Sequence, residues 1–318
     1  MTSITLSGPY AVLATPFTKD ARPDLDAVGR HVELLCATDI RGIVPCGSSA
    51  EFVNLSFEEN TAILREVARV NAGRKQVIAG ATGPDAFTTL KYLDLMGNLG
   101  LDAALIAPPY YFKYSDDEIL AFYKEIGAPG FPVTAYNIPA FTNPISLTVY
   151  SKLLDMDHIK AMKNSSANIK EIMHQIELKN ETRRDFQVLT GTDDAIVPCV
   201  VGGCTGSFTL LGSIMPETIC RIYDALGRGD IPGALQIQNQ IQPVIRAADS
   251  FPFPLGYKLI ALVKGFDVGR PRQSISEKTQ SRILPALEII YESLKKVETG
   301  NIPEDFNPVR LIEKLWLN

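Results

Sequence analysis

A chain of 318 residues with 46% hydrophobic side chains and a net charge of −5 has the balance of an ordinary globular protein. No stretch approaches the roughly 20 uninterrupted apolar residues of a membrane span, and no Lys/Arg run is clustered as a phosphate-tracking surface requires. Membrane and nucleic acid are therefore not expected partners, which leaves small molecules and further copies of the chain. The five cysteines (Cys36, Cys46, Cys199, Cys204, Cys220) are scattered, odd in number and without a CxxC pair, so they read as core thiols rather than a disulfide framework or a zinc site. The only histidines, His31, His158 and His174, stand far apart, and a site built on several imidazoles would have few ligands. No metal and no cofactor are expected. The opening MTSITLSGPY lacks the basic start and apolar block of a secretory signal, which predicts a cytoplasmic location.

Along the chain, short apolar runs rich in Val, Ile and Ala alternate with longer amphipathic segments, the pattern of repeated βα units around a parallel sheet. Eight runs are predicted as strands, at residues 10–15, 42–46, 77–81, 103–107, 133–137, 159–163, 187–190 and 206–209. Leu25, Val28, Val32 and Leu35 share one face of a helix, and Ile63, Val67 and Val70 share another. Ser56 with Glu59, and Ser115 with Glu118, have the spacing of capping boxes. After Gly227 strand signals cease, and helices are predicted around 234–245, 255–264, 283–297 and 309–317. The expected class is α/β, a (β/α)₈ TIM barrel over residues 1–228 with a C-terminal helical extension, 229–318, packed on it.

In such a barrel the active site gathers at the C-terminal ends of the strands, so polar residues that close an apolar strand are candidates. The sixth strand, IKAMK, ends in Lys163 and runs into NSS. A lysine there points its amine into the barrel mouth, where desolvation disfavours an ammonium and leaves a free amine able to attack a ketone. Spacing alone favours the plainer reading, a solvated lysine at a loop start. VTAYNIPA places Tyr136 near the end of the fifth strand, as a proton relay beside an imine or as a packed core ring. GSSAEF, after the second strand, offers the hydroxyls of Ser48 and Ser49 to a carboxylate, or is only a turn. PPYYF presents Tyr110 and Tyr111 after the fourth strand. GTDD, after the seventh, presents Gly191, Asp193 and Asp194, where the acidic pair either caps a helix or binds substrate hydroxyls. The eighth strand closes on Phe208, Thr209 and Leu210. Ser48, Ser49, Asp193, Gly191 and Thr209 make up the expected substrate-binding set.

Taken in order, GSSAE, PPYY, YNIPA, KNSS, and GTDD followed by VGGCTGSF resemble the dihydrodipicolinate synthase and N-acetylneuraminate lyase family, from GPYAVLATPF to about Pro271. The resemblance implies a Schiff base between pyruvate and Lys163, with Tyr136 as the proton-relay tyrosine and Ser48 and Ser49 as the pair that grips the pyruvate carboxylate. It also implies that Tyr111 matches a tyrosine that in some members crosses a dimer interface to complete the relay next door. Such members are commonly homotetramers built as dimers of dimers, and the chemistry needs no metal or organic cofactor.

Departures from the family pattern bear on the substrate. Members that make dihydrodipicolinate carry an arginine two residues after the YNxP proline, where this chain has Phe141, so a bidentate carboxylate clamp is replaced by an apolar ring. Leu210 stands where sialate-cleaving members often have a hydroxyl, and Ala50 stands where the family usually has glycine. The expected activity is a lyase that cleaves or forms a 2-keto-3-deoxy sugar acid or a related 2-oxo acid. Dihydrodipicolinate synthase, N-acetylneuraminate lyase and a dehydratase working through the same imine are alternatives. An alternative of another class is a non-catalytic small-molecule sensor on the same fold.

Overall fold

The computed structural model describes residues 4–298 and 302–317, without the side chains at 314, 316 and 317. Residues 1–3, part of the segment read for an export signal, lie outside the described residues. Strands β1 (Gly8–Val12), β2 (Gly42–Val44), β3 (Gln76–Gly80), β4 (Ala103–Ile106), β5 (Val133–Asn137), β6 (Ile159–Asn164), β7 (Gln187–Thr190) and β8 (Gly206–Thr209) pair in parallel, each with the next, and β8 closes on β1. This is the expected TIM barrel. The predicted ends of β5, β7 and β8 coincide with the observed ones. The first two strands end earlier than predicted. Past Val12 the chain turns so that the Thr15 hydroxyl donates to the Ala50 carbonyl at 2.7 Å, and β2 stops at Pro45–Cys46, where Pro45 has no amide hydrogen and Cys46 has a φ of 55°.

Alternation along the strands sorts side chains into two layers. Tyr10, Val12, Val44, Ile78, Leu105, Tyr136, Ala161, Leu189 and Phe208 fill the barrel interior. Ala11, Ile43, Val77, Ala104, Ala135, Met162 and Val188 face outward into a core shared with the surrounding helices. Those helices are α1 (Leu25–Cys36), α2 (Phe57–Asn71), α3 (Ala86–Asn98), α4 (Asp116–Glu125), α5 (Leu147–Leu153) and α6 (Ile169–Thr182). Both predicted capping boxes form, Ser56–Glu59 at α2 and Ser115–Glu118 at α4. Cys46, Cys199, Cys204 and Cys220 are buried free thiols, and Cys36 is half-buried.

The chain continues through α7 (Ile196–Val201), α8 (Leu211–Ile214), α9 (Pro216–Gly227), α10 (Ile231–Asp249), α11 (Leu255–Val263), α12 (Glu277–Gln280), α13 (Ile283–Lys295) and α14 (Pro308–Leu317). A second apolar core draws Ile196, Leu211 and Ile219 together with Ile241, Leu259, Leu287 and Leu315. The C-terminal helices are thereby anchored on the last barrel units, and the α10–α11 junction reaches over the barrel mouth. Among the described residues no helix is long and apolar enough to cross a membrane.

Candidate active site

Strand parity decides where Lys163 points. Ala161 faces the interior and Met162 faces out, so Lys163 returns to the interior next to the end of β6, and the residue is only 5% exposed. Tyr136 reaches the same level on β5, since the two residues are register partners. The Lys163 Nζ stands over the Tyr136 ring, 4.1 Å from its centroid, and 6.0 Å from that of Phe208. The solvated-loop reading of Lys163 is excluded by this burial. The next residue on each strand faces outward, where Asn137 and Asn164 both donate to Glu171 Oε1 of α6, at 2.7 and 2.8 Å. One carboxylate thus ties together the two strand ends that carry the lysine and the tyrosine.

Gly191 closes one side of the lysine. A Cβ there would lie 2.5 Å from Lys163 Cε and 2.0 Å from Ser165 Oγ, so only glycine leaves the side chain its space. Ser165, which was not singled out from the KNSS motif, donates from its hydroxyl to the Tyr136 oxygen at a long 3.4 Å.

The acidic pair of GTDD does not cap α7, whose first turn has no side-chain cap. Asp193 instead turns inward, 9% exposed, and accepts a hydrogen bond from the Thr209 hydroxyl. Burial raises its carboxyl from an ordinary 3.8 to about 7; the Thr209 bond and the Lys163 charge oppose that rise, while Asp249 and Asp194 add to it. Asp194 pairs with Arg246 of α10 at 3.0 Å. Asp249, at the end of α10, is also raised by burial, and it accepts a hydrogen bond from Tyr257 at 3.2 Å.

Ser48 and Ser49 lie in a short 3₁₀ turn, Ser48–Ala50, at the mouth. The turn can approach the barrel because Gly80 lies beneath it: a Cβ at Gly80 would lie 1.9 Å from the Cys46 carbonyl oxygen. Ala50, the departure from glycine, has no positive φ; the left-handed residue is the following Glu51, at 57°. Glu51 is buried and its Oε1 lies 2.7 Å from Nζ of Lys258 on α11, although outside hydrogen-bond geometry. The ammonium also faces the Phe17 ring, 4.4 Å from its centroid. Cys46, Glu51, Tyr111 and Ala167 are non-glycine residues at positive φ, and all four lie on loops that follow strand ends at this face.

Two connected cavities fill the mouth. One of about 290 Å³ is lined by Lys163, Tyr136, Ser48, Ser49, Asp193 and Asp194 among others. The other, about 580 Å³, runs toward Phe52, Tyr110 and Tyr111. Ser48, Tyr136, Ile138, Phe141 and Phe253 line both. Thr209 reaches the first cavity through Asp193 and does not itself line it. Tyr111 stands apart, 90% exposed on the outer rim with its ring edge-on to Phe112, so within one chain it is not brought to Lys163. Asp249 and Tyr257, on α10 and α11, and Phe253, in the turn between them, were missed from sequence because their local pattern announces packing and a turn and nothing more. Among the described residues no group of three or more His, Cys, Asp or Glu is placed to hold a metal ion.

Residues 5–290 match the model of the dihydrodipicolinate synthetase family. The chain belongs to that family. A 4-hydroxy-tetrahydrodipicolinate synthase of Chlorobium phaeobacteroides is 32% identical over 264 residues, 80% of this chain and 86% of that protein. The enzyme of the same name from Methanosarcina barkeri is 30% identical over 285 residues, 88% and 97% of the two chains. Among solved structures, the 4-hydroxy-tetrahydrodipicolinate synthase of Methylacidiphilum fumariolicum superposes with a TM-score of 0.84 at 22% identity, covering 92% of this chain and 99% of that one. A sialic acid aldolase of Ruminococcus gnavus gives 0.81 at 20% identity, covering 92% and 97%. These superpositions show the shared barrel, and the family's members are lyases and aldolases.

Proposed function

We propose that this protein is a class I aldolase in which Lys163 forms a Schiff base with pyruvate and which reversibly cleaves a 2-keto-3-deoxy sugar acid or a related 2-oxo acid. The observation that carries this reading is the buried Lys163 amine held 4.1 Å over the Tyr136 ring in the cavity that Ser48 and Ser49 also line. A sensor has no need of a buried amine, a phenol and a hydroxyl pair in one cavity.

In cleavage, the Lys163 nitrogen attacks the keto carbon, water leaves, and a protonated imine results. Tyr136 takes the proton from the C4 hydroxyl, the bond between C3 and C4 breaks, and its electron pair moves to the imine nitrogen as the aldehyde departs. The enamine then takes a proton at carbon, and hydrolysis returns pyruvate and the free amine. Ser48 and Ser49 hold the carboxylate, Gly191 leaves space for the lysine, and Asp193, held by Thr209, faces the substrate hydroxyls. Tyr111 and the neighbouring Phe112 are strongly exposed, which fits a contact between subunits of a homotetramer in which Tyr111 completes a neighbour's relay. Neither a metal nor an organic cofactor enters the scheme, and a cytoplasmic setting agrees with it.

Synthase activity is the second reading, favoured by the names of the curated relatives. Against it stands Phe141, which lines both cavities where the synthase pattern has its arginine. A coupled pyruvate-release assay across 2-keto-3-deoxygluconate, 2-keto-3-deoxygalactonate, sialate and 4-hydroxy-2-oxoglutarate tests the choice. Release from a sugar acid supports the lyase. Pyruvate consumption with aspartate semialdehyde, and no release from the panel, supports the synthase.

A further inference from the structure

The charges around the two cavities are lopsided. Among the described residues lining them, Lys163 is the only cation, and it is the proposed imine former. Four carboxyl groups line the same surface: Asp193, Asp194, Asp249 and Glu51. The nearest other cations are already engaged. Arg246 lies 3.0 Å from Asp194 and 3.8 Å from Asp249, and Lys258 is fully buried against Glu51. Along the same surface, Phe141 and Phe253 present partly exposed rings, 55% and 39% exposed, with centroids 5.8 Å apart, and Phe253 continues edge-on to Tyr257 at 6.1 Å.

An acceptor aldehyde that reacts with a carbon held at Lys163 has two directions for its far end. One leads to Asp193, Asp194 and Asp249; the other runs along the Phe141–Phe253 wall toward Phe52 and Tyr110. A carboxylate placed in either direction gives up water without gaining an unengaged cation, and finds carboxyl groups instead, Asp193, Asp194 and Asp249 in the first and Glu51 in the second. An uncharged chain gives up little in the second direction and covers apolar surface that otherwise faces solvent.

We infer that the acceptor is an uncharged aldehyde whose far end lies on the Phe141–Phe253 wall, with Phe253, supplied by the turn between α10 and α11, as a specificity-determining residue. This rests on the Schiff-base reading above and narrows it, since it excludes every aldehyde that itself carries a carboxylate.

The test pairs acids with their esters. Pyruvate consumption by the full chain is measured with succinate semialdehyde and glyoxylate and with the methyl ester of each, while borohydride trapping of pyruvate at Lys163 is followed in the same preparation. Each ester is expected to show kcat/KM at least about tenfold above its acid, the discrimination an uncompensated carboxylate imposes. Phe141→Arg should shrink or invert that ratio, and Phe253→Ala should raise KM for the esters more than for the acids. Equal or better use of the acids, or no condensation with any of the four while the Lys163 adduct forms, overturns the inference and leaves the Schiff-base reading standing. Failure to form the adduct overturns both.

Discussion

Replacing Gly191 by alanine tests whether the space around Lys163 is set as tightly as the geometry indicates. The added methyl would lie 2.5 Å from Lys163 Cε, about 1 Å short of ordinary contact, and 2.0 Å from Ser165 Oγ. Gly191 is not at a positive φ, so the backbone itself accepts alanine and the effect is purely one of crowding. The serine hydroxyl can swing aside, but the lysine stem passes directly through the space, and a shift of about 1 Å in a reacting group costs on the order of 100-fold in rate. Overpacking at one site costs about 1–3 kcal/mol, so the variant should still fold. The assay is the rate of pyruvate-dependent borohydride trapping, read with the thermal midpoint of the same sample. Gly191→Ala is expected to trap about 100-fold more slowly with a folded melting profile, and adding Ser165→Ala should not restore the rate. A wild-type trapping rate in Gly191→Ala would refute the argument.

The raised carboxyl of Asp193 links stability to pH. Folding holds its proton up to about 7, whereas the unfolded chain releases it near 3.8, so this group's contribution is intact below 3.8 and is lost as pH rises through 7. Asp193→Asn should therefore be stabilised relative to the parent at pH ~8, by up to about 4 kcal/mol, and gain nothing at pH ~3.5, as denaturant melts at the two values will report. Lys258→Met removes the partner of the buried Glu51 Oε1, leaving the carboxyl only the Asn54 amide and the Arg272 backbone N–H on its other oxygen, and should cost about 3–5 kcal/mol. Most of that should return in the Glu51→Gln/Lys258→Met double variant, and an unchanged single-variant melt would contradict the pairing. Glu171→Ala releases the strand ends behind Tyr136 and Lys163. It should slow trapping by about tenfold or more through misplacement, with little change in the pyruvate concentration at half-saturation; a change in half-saturation alone would place Glu171 in binding instead.

How much was legible in the sequence follows from what each signal encodes. Apolar runs and their spacing report burial, so eight strands and the helices around them could be read with ends shifted by a few residues. One shift falls at Pro45–Cys46, where a missing amide hydrogen and a positive φ end the β2 ladder. Lys163 and Tyr136 stand out as polar residues closing apolar strands and by their place in the KNSS and YNIPA motifs, and the structure shows the alternation along AMK and AYN that turns them inward. GTDD suggested a cap, yet Asp193 and Asp194 face Thr209 and Arg246, partners distant in sequence that local pattern cannot report. For the same reason the contributions of Asp249, Phe253 and Tyr257 were invisible: their approach depends on how the α10–α11 junction docks across the mouth. Ala50 read as a departure from glycine, and the positive φ fell one residue later, on Glu51.

The most direct measurement is peptide mass analysis after borohydride reduction in saturating pyruvate. A three-carbon adduct on the peptide containing Lys163, absent without pyruvate and absent in Lys163→Met, is the predicted result. An unmodified Lys163, or an adduct carried by a different lysine, would contradict the account.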